Sequence, residues 1–239
     1  MWPFSSKKAL EQTTFFEGYT DYHCHLLPGV DDGVQTLEET LEILKLYESL
    51  GVRCVWLTPH IMEDMPNTPE GLKKRFAELQ QTYAAEKGKI ELHLAAENML
   101  DSLFEERLER GELLTLGAEG DRLLVETSYF TPPMNLYGLL ERIKSRGYFP
   151  VLAHPERYIY MGEKDYRKLK AMGILFQMNY YSPVGIYGSE AKKKSEWLLG
   201  QGFYNLSGSD THRLRILRAA ISHRELSSKT LGRMLELVK

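Results

Sequence analysis

Short apolar runs rich in Val, Ile, Leu and Tyr alternate along this chain with longer segments whose apolar residues recur at helical spacing. That alternation predicts βα units wrapped around a parallel sheet. Strands are expected at residues 19–22, 52–57, 90–96, 122–125, 149–153, 174–178 and 203–206. Helices are expected at 36–50, 69–87, a Glu- and Arg-rich stretch ending at 110, 135–146, around 166–172, 189–199, and through the remainder after the last strand. Leu37, Leu41, Leu44 and Leu46 give the first helix an apolar face, and Gly51 closes it as a C-terminal cap. Seven such repeats, with no spare segment for a separate cap, fit a closed barrel better than an open sheet. Residues 1–18 lack this periodicity. With Trp2, Phe4, Phe15 and Phe16 as sizeable anchors, they form an extension expected to pack on the surface or stay mobile, and 19–239 form one barrel domain.

Composition narrows the classes. A hydrophobic share of 43%, a charged share of 26% and a net charge of −3 are those of a soluble globular protein. They give no basic excess for a nucleic-acid groove, and no stretch approaches the length that spans a bilayer. The first eight residues lack a signal-peptide apolar run, so a cytoplasmic location is expected, with no membrane insertion and no nucleic-acid partner. Cys24 and Cys54 offer neither a disulfide framework nor a thiolate metal site, and are read as buried small residues.

The chemistry sits at strand ends. His23 and His25 follow the first strand, His60 the second, Glu97 the third, Glu126 the fourth, His154 the fifth, and Asp210 with His212 the seventh. Only the sixth ends without a titratable group, in Asn179. Barrel enzymes carry their active sites at that end of the strands. The spacing of His23 and His25 points both imidazoles to one side of the sheet and Cys24 to the other. The following Pro-Gly-Val-Asp-Asp-Gly loop delivers Asp31 and Asp32, of which Asp32 is expected to face the cluster and Asp31 to cap the loop. A carboxylate directly after an apolar run is costly to bury without a cation, and a metal supplies one. Arg157 suits the grip of a tetrahedral oxyanion, with Glu156 orienting it or, on the plainer reading, pairing with it or with Glu163 at the surface. Tyr129, Phe130, Tyr158, Tyr160, Tyr180, Tyr181 and Tyr187 fall in loops after strands, where an aromatic rim and simple loop packing both remain open. His93 and His223 are read as structural, and Lys192, Lys193 and Lys194 as a solvated helix face.

The order HxH, TPH, an isolated Glu, HPER and SDxH resembles the polymerase and histidinol phosphatase (PHP) superfamily. DYHCHLLPGVDDG, LTPHI, AHPERY and SGSDTH are similar, more narrowly, to bacterial manganese-dependent tyrosine-protein phosphatases of capsule and exopolysaccharide operons. The resemblance runs from about residue 19 to 212. It implies an α/β fold, a distorted (β/α)7 TIM-like barrel, holding two or three divalent ions, with Mn2+ first and Fe or Zn2+ also compatible. It implies that His23, His25, Glu126 and Asp210 surround one metal, that His60, Asp32 and His212 hold another, and that Glu97 and His154 complete the cluster. Arg157 matches the family's phosphate-binding arginine. For a second such arginine Arg213, Arg215 and Arg218 compete, with Arg215 preferred, although the spacing departs from the family pattern.

The activity so implied is hydrolysis of phosphotyrosine by a metal-activated hydroxide, without a phosphoenzyme. The implied partner is a phosphotyrosine protein, the C-terminal tail of a bacterial tyrosine autokinase that controls capsular or exopolysaccharide synthesis. The cysteine-based route is excluded on the residues themselves. It needs an Arg six positions after the Cys, where this chain has Val30 and His60. The same ligands would serve a small-molecule phosphatase such as histidinol phosphatase, or a nuclease. A binding module without catalysis is the alternative from another class.

Overall fold

A computed structural model of the chain describes residues 7–223 and 226–239, so Trp2 and Phe4 lie outside the described residues. Among the described residues there are nine strands: β1 (Thr20–Cys24), β2 (Cys54–Leu57), β3 (His60–Ile61), β4 (Glu91–Leu94), β5 (Glu97–Met99), β6 (Arg122–Glu126), β7 (Phe149–Ala153), β8 (Leu175–Asn179) and β9 (Leu206–Gly208). The eight α-helices are α1 (Leu37–Leu50), α2 (Pro69–Ala85), α3 (Phe104–Arg110), α4 (Leu136–Ser145), α5 (Glu163–Ala171), α6 (Gly188–Gln201), α7 (Leu214–Ser222) and α8 (Ser228–Val238). The paired strands are all parallel, in the orders β1-β2-β4 and β3-β5-β6-β7-β8-β9.

These two sheets form one distorted barrel. Its ring closes between the last strand and the first, where the amides of Ser209 and Asp210 donate to His23 O at 3.0 and 2.6 Å and that of His25 to Thr211 O at 3.0 Å. The strands expected at 52–57 and 90–96 are each followed by a short strand that was not expected. Pro59 has no N–H to give the ladder, so β2 ends at Leu57 and β3 begins at His60. Its neighbour breaks in step at Ala95 and Ala96, and His60 then pairs with Glu97 across β3 and β5. The kinks thus lift the site-bearing tips into the larger sheet. Between β4 and β6 the segment 113–116 fills the seam, with Ala96 N–H donating to Leu114 O and Leu116 N–H to Arg122 O.

Strand alternation divides the side chains. Leu123, Val125 and Leu152 join the main core beneath the helices, while Leu124, Val151 and Ala153 fill the barrel interior with Ala95, Leu116 and Leu206. Each fully buried Leu or Val contributes about 1.5–3 kcal/mol. The inward series continues upward as Leu124 to Glu126 and Leu175 to Gln177 to Asn179, so the interior turns from apolar to polar toward the upper mouth. In β1 a register irregularity between Asp21 and Cys24 turns His23 inward and Cys24 outward.

One local expectation is corrected. The face that α1 buries is Thr40, Ile43, Leu44 and Tyr47, and Leu37, Leu41 and Leu46 are only partly buried. Polar tips make this possible, because Thr40 donates to Leu26 O at 2.9 Å and Tyr47 OH to Asp21 Oδ2 at 2.9 Å. The described part of the N-terminal extension is packed. Phe15 and Phe16 are buried in an aromatic cluster with Tyr19 and Tyr180, and Lys8 bridges antiparallel to Leu226.

Candidate metal centre

The nine expected ligand residues converge at the upper mouth, from positions spread over most of the sequence. His23 Nε2 and His25 Nε2 lie 3.2 Å apart. Both face Glu97 Oε2, at 3.1 and 3.3 Å, and Asp210 Oδ1, at 3.5 and 3.3 Å. His60 points Nδ1 at Glu97 Oε2 (3.2 Å) and Glu126 Oε1 (2.9 Å), and Nε2 at Asp32 Oδ1 (3.4 Å). His212 Nε2 reaches the same Asp32 oxygen at 3.3 Å, and His154 Nε2 lies 3.1 Å from Glu97 Oε1. Three four- or three-residue groups therefore have converging ligand atoms: His23, His25, Glu97 and Asp210; His25, Asp32, His60 and His212; and His60, Glu97 and Glu126. In the first, Glu97 takes the place that the resemblance gave to Glu126. The reason is topological: β5 is shifted upward by its kink, so Glu97 reaches the middle of the cluster while Glu126 faces His60.

Outer contacts fix which nitrogens face inward. His23 Nδ1 donates to Gln177 Oε1 (2.9 Å), His25 Nδ1 to Asp31 Oδ2 (2.8 Å) and His212 Nδ1 to the Asp210 carbonyl (2.9 Å). With those protons committed outward, the neutral rings turn Nε2 lone pairs toward carboxylate oxygens. Acceptors facing acceptors repel unless a cation stands between them. His60 Nδ1, Glu97 Oε2 and Glu126 Oε1, which make up one of the three groups, are also buried without a hydrogen-bond partner. A donor set of imidazole and carboxylate with orphaned buried atoms fits divalent metal ions.

The crowded carboxylates raise the cluster's affinity for positive charge, protons included. Burial works against the charge on His23, but Glu97 and Asp210 overcome it and hold the imidazole at about 9. Burial likewise opposes ionisation of Asp210 and Glu97, yet His212 and His23 beside the first, and His23 and His154 beside the second, keep both well below the usual carboxylate range. Two of these residues sit on unusual backbone. His154 has φ 32° and Asp210 φ 54°, left-handed values that non-glycine residues adopt at a cost of about 1–3 kcal/mol.

Arg157 follows β7 in a short 3-10 turn and lies against the cluster. Its Nη1 pairs with Asp210 Oδ2, and its guanidinium is clamped between the rings of Tyr129 (4.4 Å) and Tyr187 (4.1 Å). Glu156 does not orient it, contrary to expectation. That carboxylate is buried on the far side, accepting from Asn179 N–H (3.0 Å), Ser182 Oγ (2.9 Å) and Tyr204 OH (2.9 Å), and burial raises its pKa. Arg215 is not brought to the site. It lies exposed on α7, where its neighbour Ile216 lines the cavity instead. Arg213 is occupied with the carbonyls of Asp32, Gly33 and His212. Of the aromatic residues after strands, Tyr158, Tyr180 and Tyr181 are buried packing, whereas Phe130 is 71% exposed.

Sequence reasoning gave no supporting role to Gln177 or Asn179, and to Asp31 only that of a loop cap. Gln177 holds both His23 and the backbone of His154 (3.2 Å), and its signal was an amide inside the apolar run Leu-Phe-Gln-Met-Asn. Asn179 donates to Asp210 Oδ2 at 3.2 Å. Asp31, expected to cap its loop, does so through Gly33 N–H (2.9 Å) and also braces His25.

Residues 19–225 match the family described as capsular polysaccharide synthesis, CpsB/CapC. The chain belongs to the CpsB/CapC family. Among its CpsB/CapC relatives, tyrosine-protein phosphatase CpsB of Streptococcus pneumoniae is 31% identical over 204 residues, covering 81% of this chain and 83% of that protein. Tyrosine-protein phosphatase YwqE of Bacillus subtilis is 26% identical over 198 residues, covering 82% and 78%. A solved structure from work on YwqE and the pneumococcal CpsB, described as unique metal-dependent tyrosine phosphatases, superposes with a TM-score of 0.77 at 25% identity over 91% of this chain and 86% of that one. An amidohydrolase from Burkhoderia ambifaria with bound Zn, at a TM-score of 0.51 and 11% identity over 94% of this chain and 85% of that one, shares the fold alone.

Proposed function

We propose that this CpsB/CapC chain is a metal-dependent protein-tyrosine phosphatase working with Mn2+ in the cytoplasm. Its substrate in this reading is the phosphotyrosine-bearing C-terminal tail of a bacterial tyrosine kinase that controls capsular or exopolysaccharide synthesis. The observation that carries the reading is the cavity of about 550 Å3 over the cluster. Its floor is Asp32, His60, Glu126, Asp210, His212 and Arg157, and its walls are Met62, Met65, Met99, Ile186 and Ile216 with Tyr129 and Tyr187. A floor that holds cations takes a phosphate dianion, and apolar walls take the aryl group attached to it. Histidinol phosphate would instead bring an ammonium group against methionine, an uncompensated burial. For a nuclease, the net charge of −3 supplies no field to attract a polyanion. The names of the relatives as tyrosine-protein phosphatases, and the description of the YwqE and CpsB structures as metal-dependent, support the same reading.

Bound divalent ions supply Lewis-acid charge and acidify water. The chain's own residues do the rest. Gln177 and Asp31 hold the inward nitrogens of His23 and His25 in place, and Asn179 with Arg157 holds Asp210. Arg157, already desolvated between two rings, offers its remaining N–H groups to non-bridging phosphoryl oxygens. Tyrosine leaves as a phenolate of pKa about 10, so a strong general acid matters less than for an alkyl phosphate. Cys24 has no part in this. Its buried thiol is pushed well above the ordinary range by burial and donates to Trp56 O at 3.4 Å.

The test sets phosphotyrosyl peptide, histidinol phosphate and single-stranded DNA side by side with Mn2+. The peptide is expected to be hydrolysed fastest, with activity abolished by chelation and by His25→Ala, retained in Cys24→Ser, and lowered about 100-fold in kcat/KM by Arg157→Ala. A preference for histidinol phosphate or DNA would overturn the assignment.

A further inference from the structure

The opposite mouth of the barrel carries a second, chemically different set of donors. β2 and β4 pair with Cys54 opposite Glu91 and Trp56 opposite His93, and the two-residue strand period puts these four side chains on one face. A Glu91 carboxylate oxygen, a His93 ring nitrogen and Cys54 Sγ lie within 4.8 Å of one another. His93 is held in orientation, its Nε2 2.8 Å from Glu91 Oε1 and its ring stacked on Trp56 at 4.5 Å. A cavity of about 650 Å3 opens over the three, walled by the 117–121 turn. In its lining the carboxylates of Glu91, Glu119 and Asp121 outnumber the guanidinia of Arg53 and Arg122. Cys54 and Glu91 begin β2 and β4, whereas His60 and Glu97 lie beyond the far ends of those strands, so this set is remote from the catalytic cluster.

We propose that Cys54, Glu91 and His93 form a Zn2+ site with water as fourth ligand, separate from the catalytic centre. One soft thiolate with an imidazole and a carboxylate suits tetrahedral Zn2+, whereas the catalytic cluster offers nitrogen and oxygen only. The two ends of the barrel therefore sort ions by softness. On binding, the Cys54 thiol passes its proton to water and its sulfur becomes the ligand, with no change of oxidation state. Among the described residues β4 is the edge of its sheet and pairs only with β2, so an ion shared by Cys54, Glu91 and His93 staples that edge strand to its neighbour.

Cobalt reports the sulfur ligand directly. The full chain, first saturated with Mn2+, is titrated with Co2+ and followed in the near ultraviolet. A thiolate-to-cobalt charge-transfer band is expected with the intensity of one thiolate ligand per chain, bleached by Zn2+, retained in Cys24→Ser, and lost in both Cys54→Ser and His93→Ala. Zn2+ is also expected to raise the Tm of the parent chain and of Cys24→Ser by more than that of Cys54→Ser, which keeps only the catalytic cluster. Absence of the band, or a band that survives Cys54→Ser, overturns the site. Neither readout depends on phosphatase activity, so failure here is distinguishable from failure of the catalytic assignment.

Discussion

Replacing Gln177 by methionine keeps the volume and deletes an acceptor shared by two buried donors, His23 Nδ1–H at 2.9 Å and the His154 amide at 3.2 Å. Leaving a buried donor unpaired costs about 1–3 kcal/mol. Losing the outer partner of a metal-binding histidine typically lowers metal affinity about 10–100-fold, or about 1.4–2.8 kcal/mol. The two figures agree because they describe one event. Once freed, the His23 proton can move to Nε2, the nitrogen that faces Glu97 and Asp210, where it competes with the ion. The expected outcome for Gln177→Met is therefore Mn2+ affinity weaker by one to two orders of magnitude, with much of kcat recovered at saturating metal. Affinity is measured by competition with a chelating indicator, and kcat in the phosphotyrosyl-peptide assay across Mn2+ concentrations. Parental affinity in a folded Gln177→Met variant would refute the argument that outward hydrogen bonds set the inward lone pairs.

Other consequences are as specific. Tyr187→Leu removes one face of the Arg157 clamp, 4.1 Å from the guanidinium, and a desolvated cation–π contact is worth about 1–2 kcal/mol, so KM is expected to rise about 5–30-fold in steady-state assays. Met62→Ala combined with Met99→Ala strips two cavity walls and is expected to lower kcat/KM for aryl phosphates far more than for small alkyl phosphates, read as a ratio of the two rates. Because Glu97 and Asp210 hold His23 at about 9, His25 is raised as well, and a metal needs both neutral, binding below that pH displaces at least one proton. Metal affinity should thus climb by at least a factor of about ten per unit from about pH 6 to 8, with calorimetric heats that depend on buffer ionisation, and a flat profile would contradict it. In Gly208→Ala the new Cβ would stand 2.5 Å from His23 Cβ, so denaturant unfolding should show a loss of about 1–3 kcal/mol together with weakened metal binding.

Much of this was legible in the residues because strand ends concentrate chemistry. His23, His25, His60, His154, Asp210 and His212 each follow an apolar run, and parallel topology brings such positions to one mouth. What stayed hidden depended on features without a local signature. The exchange of Glu97 and Glu126 in the cluster follows from kinks at Pro59 and at Ala95 and Ala96, and strand periodicity carries the face of a residue but not its height. Glu156 adjoins Arg157 in sequence, yet the short turn after β7 sends the two side chains to opposite sides. Arg215 matched a family role by residue type, but α7 turns it to solvent and presents Ile216 to the cavity. The all-leucine stripe of α1 missed Thr40 and Tyr47, whose polar tips find buried partners that composition does not reveal.

Asp210 divides its two oxygens between two tasks: Oδ1 faces the paired imidazoles while Oδ2 restrains Arg157 and accepts from Asn179. A cation drawn to Oδ1 withdraws charge from the whole carboxylate and slackens its hold on the guanidinium, leaving that group freer for an incoming anion. Thermodynamic reciprocity then requires the anion to strengthen the hold on the cation by the same factor. Metal loading and product retention are for this reason one coupled equilibrium, and inorganic phosphate should act as both an inhibitor of turnover and a guard against metal loss.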